Sequence, residues 1–220
     1  MYAPHTVTIY NIVQEIDPTT LDEVEKVYTT ILRGVMLQAS KGVNVRESGL
    51  ESADAVILPG VGAFPDASDT LFDSGYAQKL TKLAKDGMPI LGICLGMQLL
   101  LEESDEVRPS RGLGLIKGRC EKIRDTGLKI PHIGWNDLMI DSPDCPILGG
   151  TKNGEYVYFV HSYKAVLSDS SALACHTFYG EDIPAAIFKD NVFGTQFHPE
   201  KSERTGLKIL SAFCRYADIP

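Results

Sequence analysis

The chain has 220 residues, 44% of them hydrophobic, and 21 basic against 29 acidic side chains give a formal net charge of −8. That length supports one domain with a substantial core, read here as residues 1–220, and the acidic balance argues against nucleic acid or an anionic membrane as the main partner. Five cysteines are an odd number with no C-x-x-C pair, so neither a disulfide framework nor a zinc site is expected, and the compartment is expected to be reducing and cytoplasmic.

Taken in chain order, Val7–Ile12 reads as a strand, and a helical pattern follows over about Asp22–Ala39. Ala55–Leu58 is a second apolar strand, about Asp66–Lys85 a helix, and Ile90–Ile93 a strand leading into a helix from Leu95. The apolar run Gly87–Leu101 is too short to cross a bilayer and carries Pro89 and Gln98, so it reads as buried. The amino-terminal Met1-Tyr-Ala-Pro-His has no basic region of an export signal. Alternating strands and helices with apolar strands predict a parallel sheet covered on both faces. In the second half, Leu115–Ile123, Ile133–Ile140, Tyr156–Leu167, Ala172–Phe178 and Ala185–Phe197 read as antiparallel or mixed additions to the same sheet. Asn153-Gly154 and Asp190-Asn191 mark turns, and Glu203–Tyr216 closes the chain as an amphipathic helix with Leu207, Leu210, Phe213 and Tyr216 on one side.

The stretch Gly92-Ile-Cys94-Leu-Gly96 lies where a strand turns into a helix, the arrangement of a nucleophile elbow with cysteine in place of serine. Glycines at 92 and 96 let neighbouring chain approach closely, the following helix start favours a thiolate, and the Leu95 amide is placed to donate to an oxyanion. The same string also fits a buried core thiol, the reading kept for Cys120, Cys145, Cys175 and Cys214. A thiol nucleophile needs a base and a group that orients it. His198 ends a strand and precedes Pro199-Glu200; proline keeps residue 198 extended, and in extended chain residues 198 and 200 point the same way. Alone, that tripeptide is an ordinary strand end; coupled to the elbow, it is a base with its orienter. His132 and His161 are rival bases, each better read as hydrogen-bonding a loop. Pro59-Gly-Val61-Gly62 follows another strand and opens a helix. It is either a tight turn or, beside a cysteine elbow, a source of backbone donors with Val61 as the candidate, a contribution on the order of 3 kcal/mol per donor.

These residues together resemble the class I (triad) glutamine amidotransferases. Within that class, Pro59–Phe64, Pro131–Asn136, Tyr158–Tyr163 and Gln196–Ser202 are similar to motifs of the glutaminase subunits of imidazole glycerol phosphate synthase. The resemblance implies the flavodoxin-like α/β fold of that class: a mostly parallel sheet flanked by helices, with an antiparallel or mixed extension in the second half. It implies L-glutamine as substrate, Cys94 as nucleophile, His198 as base and Glu200 as orienter, with Val61 and Leu95 at the oxyanion. Gly60, Gly62, Gln98, Ser162 and Tyr163 would hold the substrate's amino-acid end, and no cofactor or metal is implied. The implied partner is a (β/α)8-barrel cyclase in a heterodimer that receives ammonia for histidine synthesis, with Trp135, Asn136, Tyr158 and Lys201 at the interface. By residue type, Trp135 fits a core aromatic equally well. The chain departs from the family near its start. Val13–Glu25 is long and acidic, Thr30–Val35 resembles the helix that should follow, and no Gly-Asn pair precedes it. This leaves open a paralogous subunit serving another acceptor such as a sugar precursor, and the elbow taken alone also fits a free-standing cysteine hydrolase.

Overall fold

The computed structural model describes residues 54–218 and, as backbone, the two-residue strand Val35–Met36. That strand, β1, runs parallel to β2 (Val56–Gly60) through Val35–Val56 and Met36–Ile57. Residues 35 and 36 therefore belong to the sheet and not to a helix running through 39; pairing along a sheet edge overrides the helical periodicity. The rest of that expected helix, the strand expected at 7–12 and the acidic segment 13–25 lie outside the described residues.

Helices α1 (Phe64–Asp73) and α2 (Tyr76–Lys85) replace the single helix expected over 66–85. Ser74 turns its hydroxyl back onto the Thr70 carbonyl at 2.6 Å, and Gly75 follows with a φ of 77°, so the chain leaves the first helix axis and starts a second. Strand β3 (Ile90–Cys94) runs straight into the short helix α3 (Leu95–Leu99). The small strands β4 (Glu103–Ser104) and β5 (Ser110–Arg111) lead to β6 (Gly118–Lys122), β7 (His132–Asp137) and β8 (Met139–Ile140). Next come β9 (Tyr156–His161), β10 (Tyr163–Leu167), β11 (Leu173–Phe178), β12 (Asp182–Lys189), β13 (Val192–Thr195) and the closing helix α4 (Glu203–Tyr216).

The main sheet has the order β1-β2-β3-β13-β12-β11-β8. Its first four strands are parallel and the remaining three antiparallel, the mixed extension expected of the fold. Two expectations need correction. The second-half strands do not all join this sheet: β10-β6-β4-β5 form a second sheet and β7-β9 a two-stranded third. Accordingly Tyr156–Leu167 is two strands, because at Ser162, whose carbonyl accepts from Ile123 N, the chain leaves its pairing with β7 and takes up pairing with β6. Likewise Ile133–Ile140 divides between β7 and β8.

Apolar side chains bury on both faces of the main sheet. One layer gathers Val56, Leu58, Phe64, Leu71, Leu80, Ile90 and Met97; the other gathers Ile57, Leu91, Ile93, Phe159, Phe193, Phe197, Ile209 and Phe213. On α4 Ile209 and Phe213 are fully buried, while Tyr216 stays exposed and packs edge-on against Phe193. The run Ile90–Leu101 is buried throughout. Helix α3 sits hard against the strands: a Cβ at Gly96 would lie 1.7 Å from the Leu58 carbonyl oxygen and one at Gly92 2.6 Å from that of Gly96. Only glycine at both positions lets the helix start directly above β3, and that start aims residue 94.

Candidate active site

Gly60 and Cys94 are register partners at the carboxyl ends of β2 and β3, and Thr195 of β13 pairs with Ile93 on the other side. The edge of a parallel sheet, where strands end and helices begin, is where α/β folds place their sites. Cys94 has φ 55° and ψ −112°, a conformation that costs a non-glycine residue about 1–3 kcal/mol and persists only when its surroundings enforce it. The close fit of α3 against β2 and β3 is that enforcement. Leu95 is the first residue of α3, a position whose amide has no acceptor within the helix. Val61, next after Gly60, is 45% exposed, and Gly62 takes a φ of 103°. The glycine-flanked loop is thus open to a ligand beside the elbow, and α1 begins immediately behind it, where the Glu106 carboxylate accepts from Phe64 N at 2.9 Å.

His198 is buried and its Nδ1 donates to Glu200 Oε1 at 2.7 Å. With Nδ1 committed to the carboxylate, Nε2 is the nitrogen left to exchange a proton with a thiol; it is buried and has no hydrogen-bond partner among the described residues. Burial alone would lower the pKa of this ring, but interactions with the Cys94 sulfur and then with the Glu200 carboxylate outweigh it and raise the pKa to about 10. The pairing arises differently from the expectation. His198 itself is extended, but Pro199–Lys201 is a 3-10 turn with proline at its start, and the turn folds Glu200 back beneath the imidazole. The motif's Ser202 completes the support, donating to the His198 carbonyl at 2.6 Å and accepting from Tyr158 N at 3.0 Å.

On the other flank of Cys94, Gln98 donates through Nε2 to the Tyr163 carbonyl at 3.1 Å and to Gln196 Oε1 at 3.0 Å. Gln196 Nε2 in turn lies 3.8 Å from Cys94 Sγ, and the Val160 carbonyl 3.9 Å from it. Gln98 and the Tyr163 carbonyl are thus linked through Gln196 to the Cys94 sulfur, and Ser162 precedes Tyr163 at the break between β9 and β10. Gln196 and Ser202 are the additions that sequence reasoning passed over; both stand inside the Gln-Phe-His-Pro-Glu-Lys-Ser string, which was the available signal. His132 and His161 are buried and paired side by side, Nδ1 to Nε2 at 3.1 Å. Desolvation lowers the pKa of His132 to about 4. It takes His161 to about 3, with the Tyr163 carbonyl opposing and His132 and His198 assisting. Neither ring is a general base at neutral pH. The remaining four cysteines are buried and unpaired, as the core reading requires.

The expected interface residues on β7–β9 divide between its two faces. Trp135 is 47% exposed and meets Tyr158 edge-to-face, so it is no core aromatic. Ile133, Tyr156 and Val160 are exposed beside it on the same face of β7–β9, and Lys201 is exposed next to Ser202, whose hydroxyl accepts from the Tyr158 amide. Asn136 instead turns its amide inward, to the Phe178 carbonyl at 3.0 Å and toward His132.

A strained cysteine at the carboxyl edge of a parallel sheet, together with a histidine oriented by a carboxylate, defines a thiol-dependent α/β enzyme of the acyl-transfer kind. The sequence model of the class I glutamine amidotransferases matches residues 26–216. The imidazole glycerol phosphate synthase subunit HisH of Caldanaerobacter subterraneus subsp. tengcongensis is 52% identical over 164 residues, covering 74% of this chain and 80% of that protein. Its counterpart in Methanocaldococcus jannaschii is 49% identical over 164 residues, covering 74% and 81%. The chain belongs to the class I glutamine amidotransferases and, within them, to the HisH glutaminase subunits of imidazole glycerol phosphate synthase. Among solved structures, PurLQS from Thermotoga maritima is similar at a TM-score of 0.60 and 22% identity, covering 87% of this chain and 92% of that one, a likeness of fold.

Proposed function

We propose that this chain hydrolyses L-glutamine through Cys94 and hands the ammonia to a cyclase partner. The observation that carries the reading is the 2.7 Å pairing of His198 with Glu200 facing a cysteine held at positive φ. His198 Nε2 takes the thiol proton, and the sulfur attacks the carbon of the side-chain carboxamide. The resulting oxyanion is met by the Leu95 amide and by that of Val61. Collapse expels ammonia, which leaves with the proton carried by His198, and a glutamyl thioester remains. Water, deprotonated by the same imidazole, then releases glutamate and restores the thiol. Gln98 and the backbone of Gly60, Gly62, Ser162 and Tyr163 hold the amino-acid end, which explains why the polar residues opposite the nucleophile are backbone or amide groups. The chemistry needs a reduced thiol, which suits a cytoplasmic protein; no described helix is long and apolar enough to cross a membrane.

The relatives are named as subunits, so a second subunit belongs to the assembly. We assign it a (β/α)8 barrel that uses the ammonia to form imidazole glycerol phosphate and an aminoimidazole carboxamide ribotide. The exposed face of β7–β9, with Trp135 and Tyr158 on it and Lys201 beside Ser202, which holds the Tyr158 amide, is its docking surface, with Asn136 on the opposite face of the same strand. An aromatic side chain near the middle of an interface commonly carries a large share of the affinity. Trp135→Ala is therefore expected to weaken the complex with the cyclase subunit by about 10–100-fold in isothermal titration calorimetry. Glutamate release assayed with the partner tests the function itself: turnover that does not depend on the partner, with other amides or esters accepted equally, would favour a free-standing hydrolase.

A further inference from the structure

The buried pair of histidines is not used by the chemistry above, yet its hydrogen bonds have a fixed direction. His161 Nδ1 lies 2.8 Å from the Tyr163 carbonyl, which only accepts, so that nitrogen carries hydrogen. Both rings are buried, and no carboxylate is hydrogen-bonded to either among the described residues. A neutral His161 then presents a bare Nε2, and His132 must donate to it through Nδ1. This leaves His132 Nε2 as the acceptor for Asn136 Nδ2 at 3.4 Å. The Asn136 amide is itself oriented, because its oxygen accepts from Asp137 N at 3.0 Å. Phe159 and Tyr179 stack on His132 with ring centroids at 4.8 and 4.0 Å, so the ring cannot turn.

The chain of bonds ends on the Tyr163 carbonyl, which also receives Gln98 Nε2. With two donors in place, the orientation of that peptide is fixed, and with it the Ser162 turn and the Gln98–Gln196–Cys94 series. We infer that His132 and His161 are positioning residues of the glutaminase site, linked imidazoles that hold the Tyr163 carbonyl and so set the geometry of the end that grips the substrate's amino-acid group. This rests on the assignment of glutamine hydrolysis to the site.

The test uses the chain with its partner subunit. His132→Phe keeps the ring between Phe159 and Tyr179 but removes the donor, whereas His132→Asn gives up the stack and keeps a donor where Nδ1 stands. The phenylalanine variant is expected to lose about tenfold in kcat/KM for glutamine, mainly through a raised KM, and the asparagine variant to stay within about threefold of the unaltered chain. Full kcat/KM in the phenylalanine variant, a loss confined to kcat, or an asparagine variant as impaired as phenylalanine would each overturn the inference. Nitrogen-15 NMR of labelled histidines at neutral pH decides it without any substitution. Both rings should be neutral Nδ1–H tautomers, and an Nε2–H tautomer or a charged ring in either would refute the arrangement. If the unaltered complex fails to release glutamate, the functional assignment falls, while the tautomers still report on the pair.

Discussion

Replacing Cys94 with alanine is expected to lower glutamate release by a factor on the order of 10⁵–10⁶ while leaving the affinity for glutamine nearly unchanged. The asymmetry follows from the division of labour in the site. In the proposed mechanism the sulfur makes the only covalent bond, whereas Gln98 and Ser162–Tyr163 are assigned to the far end of the substrate, and Gln98 is anchored on the Tyr163 carbonyl whether or not the thiol is present. The fold should tolerate the change, because the elbow is enforced by the contact of Gly92 and Gly96 with β2 and α3 and not by the cysteine side chain. Coupled glutamate assays and equilibrium binding on the same preparation measure both quantities. Substantial turnover in the alanine variant would mean that another group performs the attack.

The second large effect is expected from Glu200→Gln. The carboxylate fixes the hydrogen on Nδ1 of His198 and so assigns Nε2 to the exchange of the proton with the thiol. A carboxamide can present either its oxygen or its NH₂ to Nδ1, and the second choice selects the wrong tautomer. The expected loss in kcat/KM is on the order of 10²–10⁴. A thermodynamic signature should accompany it. The folded-state pKa of His198 is raised to about 10, so the stability it contributes is present in full below its ordinary value near 6.5. That stability is lost as pH rises from there through about 10. Thermal midpoints of the unaltered chain should therefore fall over this window, and those of the glutamine variant should fall less steeply, since one of the causes of the raised pKa is gone. Parallel curves for the two proteins would show that the carboxylate does not act on the ring.

The nucleophile was legible because its backbone demands are local. A positive-φ residue between two glycines, one of them placed so that a Cβ would lie 1.7 Å from a backbone oxygen, has few sequence solutions, and the string states one of them. The His198–Glu200 pair was also visible in the sequence, but by an incomplete argument: the proline that keeps 198 extended also starts a 3-10 turn, and it is the turn that delivers the carboxylate. What could not be seen depends on partners distant in the chain. The alternation of Tyr156–Leu167 gives no sign that the chain changes sheets at Ser162, because that break is made by the positions of β6 and β7. Gln196 reaches Cys94 across 102 positions and His132 reaches His161 across 29, so neither contact has a local signature. The exposure of Trp135 is of the same kind: its type fits core and surface alike, and its place on the outer face of a two-stranded sheet decides between them.

In the proposed mechanism one thiol of five, that of Cys94, attacks the carboxamide of glutamine. Treatment of the complex with an electrophilic glutamine analogue, followed by peptide mass spectrometry, tests it most directly. Cys94 alone should carry the adduct, glutamine should protect it, and glutamate release should decline in step with labelling. An unlabelled Cys94 in protein that still releases glutamate, or an adduct on Cys120, Cys145, Cys175 or Cys214 that tracks the loss of activity, would contradict the account.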